Sequence, residues 1–332
     1  MNRGLRTLLV GVAWSCARPP ATSPGEMVTI PPGATLDAAI DSLAAHGVVQ
    51  SPTLFRAYAR VRGLRGALKS GDYVLQRGAA WRDVVAALER GHGVETRWTV
   101  REGLMLDEVA TLAETELGVP AESLLAAARD PKLVRELALP PRVSVADGYL
   151  YPTTYVVPIH VGGRELVRIM TREFLAQWQP GWDARLDTLH MTRHELVTLA
   201  SIVEAEVRYD PDRPYVSAVY HNRLNRGMKL EADPTVIYAR GRRLKRVWDR
   251  DLRVASPYNT YLHAGLPPGP IAEPGQASLV AALYPADVPF LFFVAQPNGK
   301  HIFSVTLAQH EAAIRAVKQQ RIAARGRPSP GR

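Results

Sequence analysis

The segment LASIVEAEVRYD, Leu199 to Asp210, limits what this chain can become more than any other. It is an apolar helical run carrying two carboxylates, Glu204 and Glu206, two residues apart. Ionised carboxylates are poorly tolerated in a protein interior unless a partner or a task keeps them there. The helix starts at Thr192, where Thr192 and Glu195 form a Thr-x-x-Glu capping box, and is predicted to run to about Val207, ahead of the turn YDPDRP. Successive helical residues turn by about 100°, so Glu204 and Glu206 point roughly 200° apart and cannot share one site symmetrically. Glu204 has Arg208 at i+4, the favourable order for an exposed ion pair, and reads as structural. Glu206 has Ile202, Val203 and Tyr209 around it, Asp210 at i+4, and no local cation. Apolar neighbours and a like charge both raise a carboxyl pKa, which suits a general acid working near neutral pH. A surface or interdomain contact would also account for Glu206, so the helix alone leaves the assignment open.

Other chemistries are narrowed by what the chain lacks. HELVT at His194 begins like a zinc-protease helix, but Thr198 stands where the second histidine belongs. The sequence has no Gly-x-Ser-x-Gly elbow, phosphate loop or dinucleotide fingerprint, and its nine histidines show no ligand spacing. One cysteine, Cys16, excludes an internal disulfide and a cysteine-based zinc site. No metal and no cofactor are expected. A metal-free carboxylate chemistry remains, with glycoside cleavage the leading case. The net charge of +9 owes part of its excess to Arg315, Lys318, Arg321, Arg325, Arg327 and Arg332, which face no acid and read as a solvated, fraying tail. No basic stripe interleaved with aromatics appears in the body, so nucleic acid is not an expected partner.

The start MNRGLRTLLVGVAWSCARPP has a basic lead (Arg3, Arg6), a short apolar stretch from Thr7 to Trp14, and then Ser15-Cys16. That stretch is shorter than the roughly 20 residues a bilayer-spanning helix needs, and it fits an export signal. A small residue before the only cysteine suggests lipidation at Cys16; a plain signal or weak anchor is the alternative. Lipidation or a weak anchor would give an exported protein held to the membrane through its N-terminus, a plain signal an exported protein without that tether, and an unprocessed start a cytoplasmic one. At 332 residues the chain can bury a sizeable core in one large domain or two moderate ones.

Beyond the linker Pro19 to Gly25 a weak echo repeats. VTIPPGATLDAAIDSLAAHGV and WTVREGLMLDEVATLAETELGV each read as strand, glycine turn (Gly33, Gly103) and amphipathic helix, and YVLQRGAAWRDVVAALERG is a looser third copy around Gly78. Helices are predicted near Pro52–Arg62, Ala121–Leu137, Arg164–Gln179 and Tyr215–Arg226, the last stopped by Gly227. DGYLYPTTYVVP, Asp147 to Pro158, reads as β-rich. SPYNTYLHAGLPPGPIAEPG, Ser256 to Gly275, is too rich in proline, glycine and asparagine for regular structure and reads as a functional loop. Phe290 to Ser304 reads as a strand pair around an Asn-Gly turn.

LASIVEAE, VYHNRLNRGMKLEADPTVIYA, SPYNTYLHAGLPPGPIAEPG and GYLYPTTY together resemble the MltG/YceG-like endolytic murein transglycosylases, and the likeness covers about Val28 to Val317. The resemblance implies an α+β fold: a small LysM-like module over 26–95, then a larger mixed α/β YceG-like catalytic domain over 96–325. Residues 1–25 would form a signal, lipoprotein-like or weak-anchor segment with its linker, and 326–332 a basic tail.

The implied reaction cleaves the MurNAc–GlcNAc β-1,4 bond inside nascent glycan strands and leaves 1,6-anhydro-MurNAc ends, terminating strand elongation. The family's acid is the second glutamate of its Glu-x-Glu pair, which maps to Glu206, with Glu204 as a supporting residue. Asn222, Asp233, Thr235, Tyr258, Asn259 and Tyr261 match cleft motifs, implying support from Asn222 and Asp233 and sugar contacts from the others; Tyr149 of GYLYPTTY joins the contact set. Asn and Asp residues of this kind also simply shape turns. Glu231 stands where relatives often carry glutamine, adding a charge that could perturb Glu206. Asp147 replaces the usual Glu and Thr153 the usual Asp, so no second acid is expected at 153. The implied partners are peptidoglycan glycan strands and the synthases that polymerise them, at the periplasmic face of the inner membrane. Two rivals stay open: a hydrolytic muramidase using Asp233 or Glu231, and a non-catalytic glycan-binding septal scaffold.

Overall fold

The computed structural model describes residues 25–325 apart from 92, 93, 142, 242, 245 and 246. The signal-like start, Cys16 and the residues after 325 lie outside the described residues. The chain divides into two compact units at Val94/Glu95.

The first unit contains β1 (Glu26–Ile30), α1 (Leu36–Ala45), α2 (Pro52–Val61), α3 (Leu64–Ala67), β2 (Gly71–Leu75) and α4 (Trp81–Arg90). Strands β1 and β2 pair antiparallel, with Glu26 opposite Leu75 and Ile30 opposite Gly71. Val28, Ile30, Ile40, Leu43, Phe55, Tyr73, Val84 and Leu88 close one core between the strand pair and the helices. The glycine turns of the echo are real: Gly33 and Gly78 have φ of 77° and 67°, where a side chain would be strained.

The second unit begins with β3 (Glu95–Thr99), α5 (Leu106–Leu117), α6 (Ala121–Ala128), α7 (Pro131–Glu136), β4 (Thr154–Pro158), α8 (Gly163–Gln177) and α9 (Trp182–Leu189). It continues with α10 (Arg193–Glu206), α11 (Arg213–Asn225), α12 (Asp233–Ala239), α13 (Gln276–Leu283), β5 (Phe292–Ala295), β6 (His301–Ser304) and α14 (Leu307–Arg325). The fold is mixed helix and sheet, with each strand pair a two-stranded antiparallel ribbon. Among the described residues no helix is long and apolar enough to cross a membrane.

Three expectations change and one helix is new. The single helix over Ala121–Leu137 is two, because Pro131 removes a backbone donor and Asp130 caps the second piece by accepting from the Lys132 N–H at 2.9 Å. Only Thr154–Pro158 of the GYLYPTTY region is strand; the residues before it form a turn. Asp233 to Ala239 is helical. The basic stretch from Arg315 does not fray at once: it continues α14 to Arg325, with Arg315 4.0 Å from Glu311 and Arg321 donating to the Ala295 carbonyl.

Helix α10 is the axis of the second unit. Leu196 through Val203 are all buried, so the helix is covered on every side, and it packs on α9, α11, α12 and α13. Its polar side chains are satisfied locally. Thr198 donates to the His194 carbonyl at 2.8 Å and Ser201 to the Thr198 carbonyl at 2.7 Å. Ser201 also accepts from the Ile271 N–H at 3.0 Å, tying the irregular 256–275 stretch to the helix.

Candidate active site

The capping box forms as predicted. Thr192 Oγ1 accepts from the Glu195 N–H at 3.2 Å, and Glu195 Oε2 accepts from the Thr192 N–H at 2.8 Å. The decisive geometry lies at the other end, where the helix stops at Glu206 and Val207 turns extended. Arg208 therefore never reaches the i+4 position beside Glu204. Instead Glu204 Oε2 accepts from Arg213 Nη1 at 3.0 Å and from the Gly275 N–H at 3.1 Å. Both side chains of this ion pair are 7% exposed. Arg213 also donates to Asp210 at 2.8 Å and to Ser278. The expected exposed Glu204–Arg208 pair is thus a buried Glu204–Arg213 pair.

The same helix end releases Asp210 from Glu206, since Asp210 is spent on Arg213 and Tyr209 turns outward, 37% exposed, beneath Lys300. Glu206 meets a different set. Tyr220 of α11 donates its hydroxyl to Glu206 Oε1 at 3.1 Å, and the Tyr220 side chain is itself buried edge-on against Phe293. Burial pushes the Glu206 carboxyl up to about 7; the Asp233 carboxylate pushes the same way, and the Tyr220 hydrogen bond opposes them. The like charge beside Glu206 is therefore Asp233. Glu231 is held by Arg223 at 3.0 Å and is not among the causes of the Glu206 shift.

Asp233 opens α12 and stays exposed, with Tyr261 donating to its Oδ1 at 2.8 Å. Glu206, Tyr220, Asp233 and Tyr261 thus form one cluster. Thr235 and Asn259 are fully buried behind it and touch no open surface. Thr235 donates to the Ala232 carbonyl at 2.7 Å and meets Thr260 at 2.9 Å, fixing the start of α12. Asn259 donates to the Leu252 and Val254 carbonyls at 2.9 Å each and accepts from the Tyr261 N–H at 3.0 Å, so it aims the loop that presents Tyr261. Asn222 donates to the Val288 and Phe290 carbonyls at 2.8 and 2.9 Å, tying α11 to the approach to β5. These three act on the site through backbone.

Tyr258 and Tyr149 sit elsewhere. Tyr149 is a core residue whose hydroxyl meets His194 Nδ1 at 2.9 Å, near the start of α10 and about 18 Å of helix rise from Glu206. Tyr258 is half-buried against Tyr238, ring centroids 4.7 Å apart. A cavity of about 1110 Å³ also opens at that end of α10, among Leu139, Thr192, Leu224 and Leu266. It does not include Glu206, and volume alone does not make it the reacting centre.

Sequence reading missed Tyr220, Arg213, the burial of Asp147, and the fully buried Glu273, which accepts from the Gly148 and Leu150 N–H groups at 3.1 and 2.9 Å. Tyr220 could have been found, because a tyrosine inside an apolar helix face needs a partner for its hydroxyl. Among the described residues no group of His, Cys, Asp and Glu side chains could hold a metal ion. The arrangement offers one carboxyl able to carry a proton near neutral pH, one hydrogen bond fixing its orientation, and a second carboxylate beside it.

The YceG-like family matches residues 28–316 of this chain. An endolytic murein transglycosylase of Bacillus subtilis strain 168 is 31% identical over 302 residues, spanning 86% of this chain and 83% of that protein. One from Streptococcus pneumoniae D39 is 28% identical over 317 residues, spanning 86% of this chain and 57% of that protein. A solved YceG-like protein from Listeria monocytogenes is 30% identical with a TM-score of 0.60, covering 86% of this chain and 98% of that one.

Proposed function

The chain belongs to the YceG-like family, and on that premise we propose that it is a peptidoglycan lytic transglycosylase in which Glu206 is the acid and base. The observation that carries the assignment is a carboxyl pushed up to about 7, chiefly by burial, held by Tyr220, with no cation paired to it among the described residues. In that state it is substantially protonated at neutral pH and can give its proton to the glycosidic oxygen.

The proposed cleavage is endolytic, at the MurNAc–GlcNAc β-1,4 bond. As the C1–O bond breaks, the leaving oxygen takes the Glu206 proton and positive charge develops at C1. The C6 hydroxyl of the same sugar attacks C1, its proton passes to the Glu206 carboxylate, and a 1,6-anhydro end forms with no water consumed. Intramolecular attack needs no second reactant to be captured and gains from proximity. The Asp233 carboxylate supplies negative charge beside the developing cation, and Tyr261 holds Asp233 in place.

The proximity of Asp233 also favours a second reading, a muramidase in which that carboxylate directs a water onto C1. Digestion of purified sacculi in oxygen-18 water separates the two. Anhydro ends without label support transglycosylation, whereas labelled reducing ends overturn it; full cleavage by Glu206→Gln overturns the acid assignment, and wild-type protein that binds strands without shortening them is the outcome the scaffold alternative predicts. The wider reading places the protein in the cell envelope, tethered through its N-terminus beside the synthases, where it would end strand elongation. The first unit would serve there as a LysM-like glycan holder.

A further inference from the structure

In the first unit, helix α2 (Pro52–Val61) carries more apolar surface than its core uses. Phe55 and Ala59 are buried in that core, where Phe55 packs edge-on against Trp81 with ring centroids 5.7 Å apart. At about 100° per residue, Ala57, Val61, Leu54 and Tyr58 fill an adjoining arc of about 100°. Leu54 is 62% exposed and Val61 88%; Ala57 is exposed, and Tyr58 is half-buried beside Trp81. The neighbouring helices carry no such face. In α4 the apolar Val84, Val85 and Leu88 are buried, and the exposed positions are Arg82, Asp83 and Arg90. Helix α1 exposes Asp37, Asp41 and alanines. Scattered apolar side chains on a surface are ordinary, but a contiguous stripe of them marks a contact.

The charge around the stripe narrows what covers it. No acid lies between Asp41 and Asp72, while Arg56, Arg60, Arg62, Arg65 and Lys69 do. Arg56 is spent on α1, 2.6 Å from Asp37 and 3.4 Å from Asp41. Arg60 borders the stripe on the Ala57 side, 60% exposed and 3.6 Å from Asp37. Arg62 ends the helix, exposed and with no acidic partner among the described residues. An apolar stripe rimmed by arginines suits a helix lying in a bilayer interface. Its apolar side chains enter the acyl boundary, and its cations meet anionic headgroups. A protein partner fits less well, because four side chains fall far short of the roughly 20–30 residues a side of a stable interface. A bilayer needs no matching shape. The chain order agrees, since the tether proposed for the N-terminus leads directly into β1 of this unit. A single acyl chain holds a protein to a bilayer only marginally, and a basic apolar patch is a second contact that makes the hold stable. Only these last two points rest on the proposed tether.

We propose that the Leu54–Ala57–Tyr58–Val61 face of α2, with Arg60 and Arg62 at its rim, binds the surface of a bilayer containing anionic lipid. The contact does not depend on the chemistry at Glu206. It gives the first unit a fixed face toward the membrane, where a tether alone would leave that unit free to turn.

A probe on α2 itself tests this in the full chain. Cys16→Ser removes the only native thiol, and Val61→Cys then carries an environment-sensitive fluorophore on the face. Its emission should shift to the blue on vesicles of phosphatidylcholine with phosphatidylglycerol and stay unchanged on phosphatidylcholine alone. Sedimentation with the anionic vesicles, in the same Cys16→Ser background, measures what the side chains contribute. Leu54→Ser/Val61→Ser should lower the partition coefficient about tenfold or more, and Arg60→Gln/Arg62→Gln about tenfold. All four side chains are exposed, so both variants should melt with the parent, and the arginine pair serves if the serine pair does not fold. An emission unmoved by anionic vesicles overturns the proposal, as do variants that sediment as the parent does. A shift on glycan strands but not on vesicles assigns the face to sugar, and one that grows with protein concentration in the absence of lipid assigns it to a second copy. Either outcome overturns the bilayer assignment.

Discussion

The last turn of α10 places two glutamates two residues apart in opposite surroundings. On one side Glu204 meets Arg213, the Gly275 N–H and, through Arg213, Asp210 and Ser278; its charge is matched and its oxygens are occupied. On the other side Glu206 meets a neutral tyrosine hydroxyl and a second carboxylate. Both are acids near the end of one helix, and the difference is whether a cation arrives from elsewhere in the chain. Arg213 opens α11 and reaches back to Glu204; among the described residues no cation is ion-paired with Glu206. The acid met by a guanidinium supports structure, while Glu206, pushed up to about 7 in the same helix, keeps a proton to give.

The sharpest way to break this comparison is to neutralise each acid separately. Glu206→Gln should lower the rate of strand cleavage by about 10²–10⁴-fold, the usual contribution of a positioned general acid. Glu204→Gln should leave the product ends unchanged and lower the melting temperature instead. Rates and product masses from sacculus digests of the two variants side by side check both halves, and equal loss of cleavage in both would erase the distinction.

Next in size is the cation. Removing one partner of a buried ion pair leaves the other charged and alone, at a cost of about 3–5 kcal/mol. Arg213→Met should show a loss of that order in urea unfolding, because it strands Glu204. The double variant Glu204→Gln/Arg213→Met should recover part of it. A double variant less stable than Arg213→Met alone would mean that the Gly275 N–H, and not the arginine, is the partner that matters to Glu204.

Local signals carried much of this. The capping box placed the start of α10, the apolar run announced a buried helix, and the absence of a cation near Glu206 separated the two acids. What sequence spacing could not supply was where the helix stops. Counting i+4 neighbours past Glu206 put Arg208 beside Glu204 and Asp210 beside Glu206, and both assignments fail because Val207 is already extended. The partners that replace them are set by tertiary packing: Arg213 lies nine residues beyond Glu204, Tyr220 fourteen beyond Glu206, and Gly275 in a distant loop. The motif residues Asn222, Thr235 and Asn259 were legible as belonging near the site, yet their side chains are turned to backbone groups and, for Thr235, to Thr260, a choice visible only when the loops are folded. Asp147 and Glu273 were opaque because a carboxylate in the sequence carries no mark of burial.

A smaller effect, in pH dependence, tests the other side of the comparison. The reaction needs protonated Glu206, so cleavage should hold below neutrality and fall as pH rises through about 7. Stability follows the same sign. The folded-state pKa lies above the unfolded one, so the contribution is fully present below the ordinary glutamate range and is lost as pH rises through about 7. Asp233→Asn removes a neighbouring negative charge and should move the descending limb to lower pH. Tyr220→Phe removes the hydrogen bond that favours the ionised form and should move it to higher pH, together with a lower kcat from a less well-oriented acid. Limbs that move together, or not at all, would mean that these groups do not set the acid's proton affinity.

The smallest effect belongs to the residue that spacing alone made important. Arg208 is exposed and lies past the end of α10, while the charge of Glu204 is met by Arg213. Arg208→Ala should therefore change stability by no more than about 0.5 kcal/mol, the range of surface substitutions away from special features. It should leave the cleavage rate and its pH profile as in wild type, and Arg213→Met in the same unfolding experiment gives the scale. A loss in Arg208→Ala approaching that of Arg213→Met would put Glu204 back in an exposed local pair. The contrast between a matched and an unmatched glutamate would then have to be explained without the buried arginine.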